Sequence, residues 1–228
     1  KITNMAETKK VSVILLNFNG LKFTLECIKS LRKTNYKNFE IVVVDNGSRS
    51  DAPALRKIRG IKLIESATNL GFAEGNNFGV RNSSGEIIAI LNNDTTVEPD
   101  WLDEPLKLLK DPSIGGVQSN VLSKYGKDDF QPLRRLKFSL FGYPIPGKME
   151  NNDIFSLTGC ALFYRRGDID EPFDPDYFIY YEDVYLAWRL RTLGFVNKQS
   201  YKSIVYHFGG AVVQDMTSMS DLFVRLGE

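Results

Sequence analysis

Along the first hundred residues, short apolar runs alternate with stretches whose apolar positions recur at helical spacing. Val11 to Leu16 is an apolar run, broken by Asn17, Asn19 and Gly20. Leu21, Leu25, Ile28 and Leu31 follow, with Lys22, Glu26, Lys29 and Arg32 between them, which is the pattern of an amphipathic helix. Ile41 to Val44 is wholly β-branched and too short for an ordinary helix, so it reads as a strand. It stops at the turn cluster Asp45-Asn46-Gly47-Ser48. Ile61 to Ile64 leads to Asn69-Leu70-Gly71-Phe72, after which Phe78 and Val80 look helical. Ile87 to Leu91 ends at Asn92-Asn93-Asp94. Pro99, a residue favoured in a first helical turn, predicts a helix from that point through Leu102, Leu106 and Leu109.

Runs apolar on both faces, separated by amphipathic helices, predict a mostly parallel, Rossmann-like α/β sheet with helices on both faces. Such sheets bind ligands beyond the carboxyl ends of their strands. The polar clusters Asn17 to Gly20, Asp45 to Ser48 and Asn92 to Asp94 should therefore meet on one edge.

The second half reads differently. Ser123 to Asn152 is rich in Gly, Pro, Lys and Asp without a sustained period, so a long variable excursion is expected there, acting as a lid. Pattern returns with Phe155 to Tyr164 and the aromatic-acidic stretch Phe173 to Asp183. A helix through Val184, Ala187, Trp188, Leu190 and Leu193 should end at Gly194, with Trp188 and the leucines in the core. Arg189 and Arg191 form a solvated face or meet phosphate. Phe195 to Tyr206 looks strand-like and delivers His207, the sole histidine.

Composition narrows the function classes. Hydrophobic residues at 43% and charged residues at 25% are ordinary globular usage, and 228 residues fit one domain. A chain of that size buries about 70% of its unfolded surface, enough to hold a core without disulfides. A formal net charge of +1 offers no general attraction to nucleic acid or to anionic lipid. Cys27 and Cys160 make neither a disulfide framework nor a ligand cluster, and read as small apolar residues in a reducing compartment. No apolar run reaches the roughly 18–20 residues of a membrane span, and no signal-peptide pattern opens the chain. A soluble, cytoplasmic protein is the expectation, with Met5 read as a native start inside a disordered segment 1–9.

Each candidate chemical group has two readings. Asp45 is a turn residue, or an acceptor for the N3–H of a uracil or thymine ring. Asp94 caps a turn or helix, or holds Mg²⁺ or Mn²⁺ against a diphosphate, since such cations often take only one or two protein carboxylates. Glu182 and Asp183 favour a helix macrodipole, or one of them is a general base whose carboxyl is raised by the rings of Tyr177, Phe178, Tyr180 and Tyr181. His207 alone reads as a structural histidine.

Taken in order, the motifs discriminate better. Val11-Ser12-Val13-Ile14 with Asn17 and Asn19, Val43-Val44-Asp45-Asn46-Gly47-Ser48, Asn69-Leu70-Gly71-Phe72-Ala73 with Gly75-Asn76-Asn77, and Leu91-Asn92-Asn93-Asp94-Thr95 form the first part. Thr158-Gly159-Cys160, Tyr181-Glu182-Asp183-Val184 and Val205-Tyr206-His207 complete it. The set resembles glycosyltransferase family 2, of GT-A fold, and within it the rhamnosyltransferase-like branch of cell-surface polysaccharide enzymes, over about Lys10 to Gly210.

The resemblance implies roles. Asp45 would contact a pyrimidine, with Asn17, Asn19 and Asn46 around it. Asn69, Gly71, Phe72, Asn76, Asn77 and Asn93 would surround the nucleoside and phosphates. Asp94 would be the metal-binding carboxylate of the Asp-x-Asp element, His207 a further metal or diphosphate contact, and Asp183 the catalytic base beside Glu182. Thr158, Gly159 and Tyr181 would face the acceptor. The first acidic position of the Asp-x-Asp element is here Asn92, an amide, so the site has less charge with which to grip Mg²⁺ or Mn²⁺.

The implied reaction is one in-line displacement with inversion, from a dTDP- or UDP-sugar carrying rhamnose or a hexose. The implied acceptor is a saccharide or lipid-linked saccharide, the latter placing the protein peripherally at the inner membrane face. The implied layout is a single catalytic domain over 10–228: a nucleotide-sugar half 10–122, the variable loop 123–152, and a smaller acceptor half 153–210. A non-catalytic nucleotide-sugar-binding scaffold of the same fold is the rival reading. A nucleotidyltransferase would be expected to carry a Gly- and Lys/Arg-rich loop after its first strand, where Leu16-Asn17-Phe18-Asn19-Gly20 stands, and a dehydrogenase a G-x-G-x-x-G.

Overall fold

The structure is a computed structural model that describes residues 9–124, 136–138, 144–146 and 152–208. Residues 1–8, and the lid expected within 123–152, lie outside the described residues apart from two short strands. The chain runs β1 (Val11–Asn17), α1 (Leu21–Leu31), β2 (Phe39–Asn46), α2 (Ala52–Leu55), β3 (Lys62–Ser66), α3 (Gly71–Arg81), β4 (Ile87–Asn92) and β5 (Thr95–Val97). It continues with α4 (Asp103–Leu108), β6 (Ile114–Ser123), β7 (Leu136–Phe138), β8 (Pro144–Pro146), β9 (Asp153–Ile154), β10 (Ala161–Arg165), α5 (Glu182–Thr192) and β11 (Val196–His207).

The central sheet has the order β3-β2-β1-β4-β10-β6-β11-β5, with β9 also on β11. β3, β2, β1 and β4 are mutually parallel, as are β6 and β11. β10 runs antiparallel between β4 and β6. The expected α/β class with a mostly parallel sheet is what forms, and a separate β7–β8 hairpin lies within the variable stretch.

Alternation along the buried strands explains the two helix layers. Val11, Val13 and Leu15 of β1 join Ile87, Ala89 and Leu91 of β4 in one core, beneath Cys27, Ile28 and Leu31 of α1. Ile14, Ile88 and Ile90 face the opposite core, with Val80 of α3 and Leu186 and Leu190 of α5. Gly79 lets α3 settle on the sheet, because a Cβ there would stand 2.6 Å from Ile14 Cγ2. Both cysteines are buried and neither is in a disulfide, and burial pushes the Cys27 thiol up to about 12, so it packs as an apolar group.

Three expectations require correction. β3 is the sheet edge, and its residues are half-buried or exposed, so it is not apolar on both faces. The helix expected from Pro99 begins at Asp103 instead. Thr95 to Val97 pairs with β11, Asn35 N–H donates to the Pro99 carbonyl, and the intervening turn drives Trp101 into the core at 0% exposure. Trp188 is 51% exposed, because α5 turns Leu186, Ala187 and Leu190 inward, and Leu193 likewise lies outside.

Trp101 packs on Phe163 at 5.2 Å between ring centroids and donates Nε1–H to Thr34 Oγ1 at 3.1 Å. Trp101→Ala is expected to cost about 3–5 kcal/mol of stability, read as a lowered urea midpoint with an unchanged slope. A loss below about 1 kcal/mol would mean that this turn is not an anchor.

Candidate functional site

The strand register assembles the site. Asn17 pairs with Asp45, and Leu16 pairs with Asn92, so the polar clusters after β1, β2 and β4 stand side by side at the carboxyl edge. Asn17 is fully buried and its amide nitrogen donates toward Asp45 Oδ1 at 3.1 Å, Ser48 Oγ at 3.0 Å and Asp51 Oδ2 at 3.0 Å. Its Oδ1 accepts from Thr24 Oγ1 at 2.7 Å, and Thr24 Oγ1 accepts from Asn93 Nδ2 at 2.9 Å. One chain of hydrogen bonds thus ties all three loops. Asn19, at φ 51°, adds a stitch: its N–H donates to Ser48 Oγ, and its Oδ1 accepts from the Arg49 N–H.

Thr24 and Asp51 were not singled out from sequence. Thr24 did carry a signal, since it is a polar residue on the apolar stripe between Leu21 and Ile28.

Asn46 fixes the next loop. Its Nδ2 donates to Asn69 Oδ1 and to the Gly71 carbonyl, and its Oδ1 accepts from the Leu70 N–H. Gly71, at φ +82°, leaves no room for a Cβ, which would lie 2.6 Å from the Phe178 carbonyl oxygen. The Phe72 N–H donates to that same carbonyl at 2.6 Å. Asn76 Nδ2 donates to the Phe72 carbonyl, and Asn77 is fully buried with both amide atoms on the Phe173 backbone. Asn46, Asn69, Asn76 and Asn77 therefore hold the loop before α3 and the helix itself in place through protein contacts.

Beyond β4, Asp94 is buried, and its Oδ1 stands 3.1 Å from His207 Nε2. β11 brings the imidazole there, since His207 pairs with Thr95. Two ligands of one octahedral ion, each at about 2.1 Å, stand about 3 Å apart. The spacing of this pair fits a shared cation; the carboxylate suits Mg²⁺ or Mn²⁺, and the imidazole favours the softer Mn²⁺. Among the described residues no group of three His, Cys, Asp or Glu side chains could hold a metal. A cation at this pair would take its remaining ligands from Asn92, substrate or water.

The head of α5 carries two further carboxylates, Glu182 and Asp183. Tyr180 and Tyr181 take left-handed φ values of 74° and 68°, a costly conformation for bulky residues that turns the chain sharply into the helix. Glu182 is thereby turned inward to 4% exposure, while Tyr181 remains 72% exposed at the rim. Asp183 Oδ2 accepts from the Gly159 N–H at 2.8 Å, and its Oδ1 from the Val184 N–H at 2.7 Å. Burial pushes its carboxyl above the usual range, and those hydrogen bonds hold it partly down.

Glu182 has one carboxylate oxygen buried without a partner; burial, then the charge of Asp183, push it to about 7. Thr158 and Gly159 line the same corner, with the Thr158 hydroxyl also lacking a partner. Arg189 and Arg191 lie elsewhere, over the rings of Tyr185 and Phe155.

The raised Glu182 carboxyl has a consequence for stability. Its folded value lies above the ordinary 4.5, so stabilisation present below pH 4.5 is lost as pH rises to about 7. Glu182→Gln is expected to match wild type near pH 5 and to melt higher than wild type at pH 8, by calorimetry. A gap between the two that does not change with pH would contradict this.

Residues 12–173 match the family model described as Glycosyl transferase family 2. An uncharacterized protein of Sinorhizobium fredii is 36% identical over 134 residues, 54% of this chain and 14% of its own. An uncharacterized glycosyltransferase of Rickettsia conorii is 34% identical over 106 residues, 45% of this chain and 17% of its own. The chain thus spans less than a fifth of either relative. Among solved structures, the mannosyltransferase PcManGT of Pyrobaculum calidifontis, in complex with GDP-Man and Mn²⁺, superposes with a TM-score of 0.70 at 20% identity, covering 89% of this chain and 57% of that one.

Proposed function

The chain belongs to glycosyl transferase family 2 and has the GT-A fold, and from that premise we propose that it moves a sugar from a nucleotide-sugar donor onto an acceptor hydroxyl. The observation that carries the proposal is one turn joining two polar groups: Gly159 N–H donates to Asp183, and the Cys160 carbonyl accepts from Asn92, where the loop bearing Asp94 and its neighbour His207 begins.

In this reading Asp45, oriented by Asn17, accepts the N3–H of uracil or thymine, and the turn pinned by Asn46 and Asn69 closes around the nucleoside. A Mn²⁺ or Mg²⁺ held by Asp94 and His207, with Asn92 alongside, would neutralise charge on the departing diphosphate. Asp183 takes the proton of the acceptor hydroxyl while that oxygen attacks the anomeric carbon from the face opposite the leaving group. One base without a dedicated nucleophile gives inversion. Glu182 lies buried beside Asp183, and Thr158, Gly159 and exposed Tyr181 meet the acceptor. The donor is a dTDP- or UDP-sugar, rhamnose or a hexose. The acceptor is a saccharide, free or lipid-linked, of a cell-surface polymer. No described helix is long and apolar enough to cross a membrane, and a lipid-linked acceptor would be met peripherally.

Calorimetry with dTDP, UDP and GDP and their sugars, each with Mn²⁺, Mg²⁺ or EDTA, tests the proposal. Metal-dependent binding of a pyrimidine nucleotide-sugar is expected. Binding of a donor without turnover on any acceptor would leave the scaffold reading, and no binding at all would remove both.

A further inference from the structure

Gln118 is a polar residue in the middle of β6, between β10 and β11, and it is fully buried. Its Oε1 accepts from the Thr158 N–H at 2.6 Å, and its Nε2 donates to the Ala161 carbonyl at 2.7 Å. One side chain thereby clamps both ends of the turn Thr158-Gly159-Cys160-Ala161. A hydrocarbon of similar size would fill the same space but would leave two buried backbone groups unpaired.

What this turn holds gives the clamp its importance. The Gly159 N–H donates to Asp183 Oδ2 at 2.8 Å. The next residue, Cys160, accepts at its carbonyl from the Asn92 N–H at 2.9 Å, where the Asn92-Asn93-Asp94 loop begins. Two consecutive residues, Gly159 through its N–H and Cys160 through its carbonyl, thus touch Asp183 and the start of the Asn92–Asp94 loop. The turn is further wedged by Phe72, whose ring would lie 2.8 Å from a Cβ on Gly159.

We infer that Gln118 is a positioning residue that sets the placement of Asp183 relative to the Asn92–Asp94 loop, acting through the 158–161 turn. It touches neither donor nor acceptor. The inference rests on the proposed glycosyl transfer for its kinetic consequence, but not for its structural one.

Gln118→Leu and Gln118→Glu test it. For Gln118→Leu, kcat should fall by about 100-fold, the scale of a misplacement near 1 Å, with donor affinity nearly unchanged. The acid limb of its kcat–pH profile should move up, because Asp183 loses the hydrogen bond that holds its carboxyl down. The titratable groups next to Asp183 in the chain or the turn are Glu182, Tyr181 and Cys160, unchanged in both variants, and Gln118→Glu adds only its own carboxyl. Gln118→Glu keeps the acceptor for Thr158 but sets a carboxylate oxygen against the Ala161 carbonyl until it is protonated. Its activity relative to wild type should therefore recover as pH falls, the opposite trend to Gln118→Leu.

Hydrogen exchange at the Gly159 amide supplies a readout that needs no turnover. It should quicken in Gln118→Leu while amides of β1 and β2 stay protected. Unchanged Gly159 protection, or a kcat loss without movement of the acid limb, would overturn the inference. If Gln118→Leu does not fold, Gln118→Glu carries the same exchange test alone. If wild type transfers no sugar from any donor, the proposed function fails, and the exchange result still decides the positioning role.

Discussion

Asp183→Asn is expected to lower kcat by about 10²–10⁴-fold while the protein still binds its donor. The substitution nearly preserves volume, but an amide cannot take a proton from the acceptor hydroxyl. It also replaces one of the two oxygens that accept from Gly159 and Val184 with an N–H₂ group, so the turn at Gly159 should loosen slightly. Donor calorimetry separates the two effects, because in the proposed reading the nucleotide meets the loops after β1, β2 and β4 and not Asp183. In wild type, burial holds the Asp183 carboxyl above its ordinary range, so kcat should fall on the acid side at a higher pH than an exposed aspartate would give. An Asp183→Asn enzyme with wild-type kcat would remove Asp183 from the chemistry.

Asp94→Ala is expected to abolish the metal dependence of donor binding. Loss of an outer-sphere partner of a metal ligand already costs about 10–100-fold in affinity, and removing the carboxylate itself should cost more. The first position of this element is Asn92, so the described residues offer no second carboxylate in the loop to compensate. The variant should bind nucleotide with Mn²⁺ no better than wild type binds it with EDTA. His207→Ala should show the same defect in weaker form, since a neutral ligand contributes less than a charged one. Metal-stimulated donor binding that survives in Asp94→Ala would place the cation elsewhere.

The parts of the fold that were legible are those in which local pattern and burial agree. β1, β2 and β4 are apolar runs that end in polar clusters, and parallel pairing necessarily brings those clusters together. The same logic located α5 and the strand that carries His207. The errors arise where a distant partner decides. Thr95 to Val97 is too short to announce itself and forms a strand because β11 pairs with it, which displaced the helix expected at Pro99. Trp188 sits among apolar neighbours in sequence, yet α5 has apolar residues over more of its circumference than the sheet covers.

Within the site, Asp45, Asp94, Asp183 and His207 stood out through the ordered motifs and the family they resemble, since each alone also reads as a turn, cap, helix-start or structural residue. Thr24, Asp51 and Gln118 did not, because what each joins is distant in sequence: Thr24 reaches Asn93 across 69 positions, Asp51 reaches Asn17 across 34, and Gln118 reaches Thr158 across 40.

The central claim is that donor lies across the carboxyl edge formed by β1, β2 and β4. Amide hydrogen exchange of the wild-type protein with and without UDP or dTDP, in the presence of Mn²⁺, tests it most directly. The account predicts slowed exchange in the segments 17–20, 45–48, 69–72 and 92–94, with the amides of α4 unchanged. Nucleotide binding that leaves those four segments unaltered and protects another surface would contradict it.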